Sequence, residues 1–196
     1  MEKKDLKPAG VFKYFEEICQ VPRPSKKEEK MIAYLKTFGA KHNLETKVDE
    51  AGNVLIKKPA TPGKENLQTV VLQSHIDMVC EKNNDVQHDF LTDPIETEID
   101  GEWLKAKGTT LGADNGIGVA TELAILADDS IEHGPLECLF TVDEETGLTG
   151  AFALQEGFMS GDILLNLDSE DEGEIFIGCA GGIDLSLIHI SEPTRP

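Results

Sequence analysis

The sequence predicts an α/β fold, a mostly parallel central sheet flanked by helices. Three observations predict it. The short apolar runs TVVLQSHID from Thr69, LECLFTV from Leu136 and DILLNLD from Asp162 are apolar on both faces, as strands are when covered on both sides. Segments of helical period lie between such runs. One of them, IGVATELAILAD from Ile117, is apolar nearly all round, the pattern of a buried helix.

Each element follows in chain order. Pro8 to Gln20 places Val11, Phe12, Phe15 and Ile18 on one helical face, and Ser25-Lys26-Lys27-Glu28 has the form of a capping box opening a second helix with Met31, Ile32, Leu35 and Phe38 inward. Residues 44 to 57, with Gly52 and Asn53 between two alternating runs, predict a hairpin. A Pro-, Gly- and Lys-rich loop leads to the strand from Thr69. Residues 81 to 100 are polar and are assigned no structure; loops of that length are often functional. EWLKA, the glycine-punctuated GTTLGADNG, the buried helix, LECLFTV, a short helix from about Thr149, DILLNLD and a last strand EIFIGCA complete the series, without internal repeats.

With 196 residues, 39% of them hydrophobic, the chain has enough apolar material for one sizeable core, a single domain or a large part of one. Its 37 acidic and 18 basic residues give a formal charge of −19, a field that repels phosphate backbones and anionic membranes, so neither nucleic acid nor membrane is expected as partner. Cys19, Cys80, Cys138 and Cys179 form no CxxC pair and read as reduced thiols. The N-terminus lacks an apolar signal region and no apolar run approaches membrane-spanning length, so a cytoplasmic protein is expected.

The polar ends of the strands carry the chemistry. TVVLQSHID ends in His75 and Asp77, LECLFTVDEE in Glu144 and Glu145, and DILLNLD in Asp168; Asp114 precedes the buried helix. The carboxyl ends of strands in an open α/β sheet form the rim where ligands bind. Several carboxylates on one rim repel one another unless a cation neutralises them. Histidine with Asp and Glu, and no thiolate, suits Zn²⁺, Mn²⁺ or Co²⁺, and this many carboxylates suit two ions sharing a bridge. Two such ions activate a water near neutral pH and polarise a carbonyl, which is hydrolase chemistry.

The ordinary readings of these residues are weighed beside that one. His-x-Asp at period two sends both side chains to one face, so Asp77 is placed to brace the His75 ring. In isolation Asp114 reads as an N-cap or Asx-turn residue, and Glu144, Glu145 and Asp168 as solvated turn carboxylates. As neighbours at a strand end, Glu144 and Glu145 point in different directions, which lets one bind metal while the other serves as a base. Gly112, Gly116 and Gly118 fit neither phosphate-loop spacing, which weakens a nucleotide reading. His42, His88 and His133 read as surface residues, and Cys80 and Cys179 as packing residues.

The ordered set QSHIDMV, GTTLGADNGIGVA, TVDEETGLTGA, LLNLDSED and GCAGGID closely resembles the aminoacyl-histidine dipeptidase (cytosol non-specific dipeptidase, carnosinase-like) family of dinuclear zinc metallopeptidases, over roughly Leu6 to Asp184. The resemblance implies a zinc-peptidase-like catalytic domain and metal-dependent hydrolysis of dipeptides, Xaa-His or of broad specificity. It implies two Zn²⁺ per complete site, with Mn²⁺ or Co²⁺ as alternatives. His75 and Asp168 would bind one ion, Asp114 would bridge both, and Glu145 would bind the second. Asp77 would orient His75, Glu144 would act as general base, and the Asp114 to Asn115 peptide would be cis. Family members are longer, with a lid domain inserted after this region and a further metal-binding histidine beyond it. The expectation is therefore a domain over residues 1–184, truncated and without its lid, followed by a non-native tail over 185–196 whose His189 is no substitute ligand; the full-length protein is a candidate homodimer. A deacylase or aminoacylase on the same core, and a non-catalytic metal-binding fragment, are the alternative readings.

Overall fold

A computed structural model of the chain describes residues 3–169 and 173–178. Helix α1 (Ala9–Cys19) and helix α2 (Glu29–Lys41) bury Tyr14, Phe15 and Ile18, and Met31, Leu35 and Phe38, respectively. Strands β1 (Glu45–Val48) and β2 (Val54–Lys58) form the expected antiparallel hairpin. Strand β3 (Val70–His75) follows the loop. Strand β4 (Thr97–Asp100), at the end of the polar stretch assigned no structure from the sequence, pairs with β5 (Trp103–Ala106) in the EWLKA run as a separate two-stranded sheet. Helix α3 (Ala113–Ala127), β6 (Leu136–Thr141), α4 (Thr149–Ala153) and β7 (Ile163–Asn166) complete the described elements.

The α/β class predicted from the apolar runs is the one observed. The five-stranded sheet is mixed, in the order β1-β2-β6-β3-β7. Its site-bearing half is parallel: β3 lies between β6 and β7 and pairs in parallel with each, while β2 joins β6 antiparallel. The hairpin accounts for the difference from a mostly parallel sheet, because a tight turn can only return a strand antiparallel.

Successive residues alternate between faces of the sheet. Val54, Ile56, Leu72, Cys138 and Phe140 join the main core with α1, α2 and α3. Leu55, Val71 and Leu139 point the other way, onto Leu154, Phe158 and Met159. Helices α1 to α3 thus cover one face, and the segment after α4 covers part of the other. On β7, Ile163, Leu164 and Leu165 remain exposed among the described residues.

Two local expectations are corrected. The capping box does not close: α2 has no side-chain cap at Glu28, because Ser25 Oγ donates to Asp77 Oδ2 (2.7 Å) and Glu28 Oε1 accepts from Asp143 N (3.0 Å). Tertiary partners outcompete the local pair. Residues 174–178 of the expected strand EIFIGCA carry no strand, and Ile175, Phe176 and Ile177 are exposed. The rest of that run, Cys179, the expected tail 185–196 and His189 lie outside the described residues.

Candidate metal centre

Parallel register builds the site. His75 is level with Thr141 of β6, and Gln73 is level with Asn166 of β7. The polar residues just past each strand therefore converge on one edge: His75 and Asp77 from β3, Asp143 to Glu145 from β6, Asp168 from β7. Asp114 arrives from the amino end of α3, where regular helix begins only after the non-helical Asp114 and Asn115, and the peptide between them is cis.

His75 is buried, at 1% exposure, and both ring nitrogens face carboxylates. Nδ1 lies 3.2 Å from Asp77 Oδ1, and Nε2 lies 3.1 Å from Asp114 Oδ1, 3.8 Å from Asp168 Oδ2 and 3.9 Å from Glu144 Oε2. Asp77 is fully buried and held by more than the histidine. Its Oδ1 also accepts from Glu144 N (3.0 Å), and its Oδ2 accepts from Ser25 Oγ and from Glu145 N (3.2 Å). One carboxylate thus ties the imidazole to the backbone of the glutamate pair.

The turn after β6 separates its three acids. Asp143 is buried, at positive φ (49°), and accepts the hydroxyls of Thr146 and Thr149. Asn53 at the end of the hairpin turn donates to Gly150 O (2.8 Å) and accepts from Val142 N (3.1 Å). Asp143 is therefore spent on the turn, and Glu144 and Glu145 are left half-buried at the rim.

Electrostatics mark the rim as short of positive charge. Burial raises the Glu144 carboxyl, and Asp168, Glu145 and Asp77 add to the rise against the attraction of His75. Burial and then Asp114 raise Glu145, and burial raises Asp168 with Asp114 adding against His75. For His75, burial alone would lower the pKa, but Asp77, Asp168 and Asp114 overcome it and lift the value from 6.5 to about 9. Asp77 falls to about 2: its hydrogen bonds from His75, Glu144 N and Ser25 outweigh the opposing effect of burial.

This donor set fits a divalent cation. One ligand atom each from His75, Asp114 and Asp168 lies within 4.8 Å of the others. Ligands about 2.1 Å from a tetrahedral ion stand roughly 3.4 Å apart. The 3.1 and 3.8 Å separations from Nε2 bracket that value. A second acidic group, Glu28, Asp77 and Asp143, is buried behind the first. Main-chain N–H and hydroxyl donors already occupy Glu28 Oε1 and the carboxylates of Asp77 and Asp143, so the group braces the rim.

The structure brings His75, Asp77, Asp114, Glu144 and Asp168 together, with Glu145 beside Asp114. The other histidines stay outside the cluster: His42 lies against Phe38, His88 against Phe90, and His133 Nδ1 is 2.7 Å from Gly134 O. Cys19, Cys80 and Cys138 are free thiols, with Cys138 in the core. Reasoning from the sequence missed Arg23, Ser25, Glu28 and Asn53, which support the rim from distant elements, and it missed Glu122. Glu122 is fully buried on α3 beside Ser74 and Cys138; burial drives its pKa well up, and those two side chains offset part of the rise.

A histidine and carboxylates gathered at metal-ligand spacing on the carboxyl rim of an α/β sheet form a candidate divalent-metal centre. Comparison with known proteins agrees. The model of peptidase family M20/M25/M40 matches residues 71–196, and the chain belongs to that family. It is 52% identical over 196 residues to the cytosol non-specific dipeptidase of Escherichia coli, covering all of this chain and 40% of that protein. The crystal structure of aminoacylhistidine dipeptidase from Vibrio alginolyticus superposes with a TM-score of 0.86 at 57% identity, over 88% of this chain and 35% of that one. An aminopeptidase from Bacillus cereus follows at a TM-score of 0.70 and 26% identity, over 83% of this chain and 43% of that one. The chain thus spans about two fifths of the length of the relatives it matches. Among the described residues no helix is long and apolar enough to cross a membrane.

Proposed function

We propose that this chain supplies the metal-binding rim of a dipeptidase of Xaa-His or broad specificity. The observation that carries the reading is the placement of Asp114, Glu144 and Asp168 oxygens within 4 Å of His75 Nε2. The names of the two relatives above half identity, both dipeptidases, support the substrate class. His75, Asp114 and Asp168 would hold one divalent ion, and Asp114 and Glu145 would contribute to a second. Zinc is the expected metal, and manganese or cobalt suits the same donors. Bound there, divalent ions supply Lewis acidity, polarising the scissile carbonyl and lowering the pKa of an attacking water.

The chain's own residues do the rest. Asp77 holds the His75 ring by Nδ1, so that Nε2 faces the rim. Glu144, whose main-chain N–H is anchored on the same Asp77, has its carboxylate 3.9 Å from His75 Nε2. Its raised pKa suits a general base that takes a proton from water and returns it to the leaving amine.

The test is a chimera in which these 196 residues replace the aligned part of the Escherichia coli relative. It should hydrolyse dipeptides with added Zn²⁺ or Mn²⁺. Glu144→Gln keeps size and hydrogen bonding but removes the base, so turnover should fall by about 10² to 10⁴ with metal content retained. Asp114→Asn should lose metal. If Glu144→Gln lost metal while Glu145→Gln kept it, the two roles would be reversed.

A further inference from the structure

Arg23 lies between the two main-chain segments that carry His75 and Asp114, yet touches neither side chain through a hydrogen bond. It is buried, at 2% exposure. Its guanidinium donates to main-chain carbonyls on both sides: Nη1 to Ile76 O (3.1 Å) and Asp77 O (2.9 Å), Nη2 to Gly112 O (2.5 Å). Those carbonyls need a donor. Ile76 and Asp77 lie just past β3, where the ladders to β6 and β7 have ended, and buried carbonyls without partners are costly. Burial lowers the arginine's pKa, and Cys19, then Asp77, Cys80 and Asp114, offset part of the fall.

The glycines of the GADNG stretch fit the same group. A Cβ at Gly112 would stand 2.5 Å from Arg23 Nη2, and one at Gly116 would stand 2.7 Å from it. Both positions flank Asp114, so the loop is built to admit a guanidinium. The neighbouring Pro24 forms a bridge with Met78, which lays this connector along the end of β3. Only a planar fork with several donors spans both segments at once; an ammonium donates from a single point.

We propose that Arg23 is a positioning residue of the metal centre: its guanidinium sets the distance between the strand end that carries His75 and the loop that carries Asp114. The proposal rests on the reading of the cluster as a metal site. It concerns how the first ion's ligands are spaced, and requires no contact between Arg23 and metal or substrate.

The test is metal binding by the 196-residue chain, read by Zn²⁺ titration against a chromophoric chelator and by the visible absorption of bound Co²⁺. Arg23→Lys keeps the charge and loses the fork, and should weaken Zn²⁺ binding by about 10- to 100-fold, the range typical of residues that orient metal ligands. The Co²⁺ spectrum should change with it. Leu35→Ala, which opens the core on α2 away from the site, should leave affinity and spectrum unchanged although it destabilises the fold. If Arg23→Lys does not fold, Gly116→Ala, which pushes the guanidinium out of place without removing it, should weaken binding in the same way. Wild-type affinity in Arg23→Lys or in Gly116→Ala would overturn the positioning role and leave the metal site standing. An equal loss in Leu35→Ala would overturn it too, by showing that any loosening of the core suffices. A wild-type chain that takes up neither ion would overturn the metal reading, and the proposal with it.

Discussion

In the metal-free chain the carboxylates around His75 favour its protonated ring, whereas a metal ligand would have to be neutral, and the competition has a definite sign. Its folded pKa of about 9 lies above the ordinary 6.5. In the metal-free chain the stabilisation from the charged ring is complete below about 6.5 and is lost as pH rises through about 9, in all about 3 kcal/mol. Asp77 runs the other way: its stabilisation is present above 3.8 and is lost as pH falls through about 2. Metal must displace the His75 proton, so apparent Zn²⁺ affinity should rise by up to about tenfold per pH unit between roughly 6.5 and 9, then level off. Titrations against a competing chelator across that range check this. A flat profile would mean that His75 carries no proton for the metal to displace.

At the scale of elements, the rim depends on a hairpin that never reaches it. Asn53 is fully buried between β1 and β2, and its amide pairs with Val142 N and Gly150 O on either side of the glutamate turn. Asn53→Ala would leave both main-chain groups buried without partners, at about 1 to 3 kcal/mol each. Urea unfolding should show a loss of about 2 to 4 kcal/mol, and the turn that aims Glu144 should lose hydrogen-exchange protection first. A loss under about 0.5 kcal/mol would show that water or a relaxed turn replaces the amide. The diverted capping box belongs to this scale as well. Ser25 and Glu28 match the local motif, yet their side chains serve Asp77 and the Asp143 main chain. A buried carboxylate and a buried N–H are worse left unpaired than an exposed helix end, which water can satisfy.

For the whole molecule, charge sets the terms. A formal −19 gathered on a chain of this size stores self-repulsion, and at the rim burial, with neighbouring acids adding, raises three carboxyl pKa values. A bound cation relieves both. On the proposed assignment one ion would have three protein ligands, His75, Asp114 and Asp168, while a second would have Glu145 and the shared Asp114. The chain should therefore take up about one tight Zn²⁺, measured by elemental analysis after gel filtration. Metal at a hundredfold excess over its dissociation constant adds about 2.7 kcal/mol, so chelator should lower the melting temperature by roughly 5 to 10 °C. No shift with chelator would contradict a native metal site.

The sequence by itself determined the α/β class, the hairpin, the helices α1 and α2, and the candidate residues on the rim. These depend on periodicity and on the ends of apolar runs, which are local, and the ordered motifs pointed to the metallopeptidase family on their own. Residues 81 to 100 stayed blank because their main-chain partners, such as Thr110 for Glu81 and Cys19 for Ile95, are distant in sequence. The run from Glu174 read as a strand from composition, yet residues 174–178 pair with no strand, since an apolar run becomes a strand only beside a partner. Only the tertiary structure decided that Asp143 belongs to the turn, that Ser25 serves Asp77, and that Arg23 sits against Gly112 and Gly116. A buried charge or amide is specified by whichever groups happen to surround it in space, and no spacing along the chain records that.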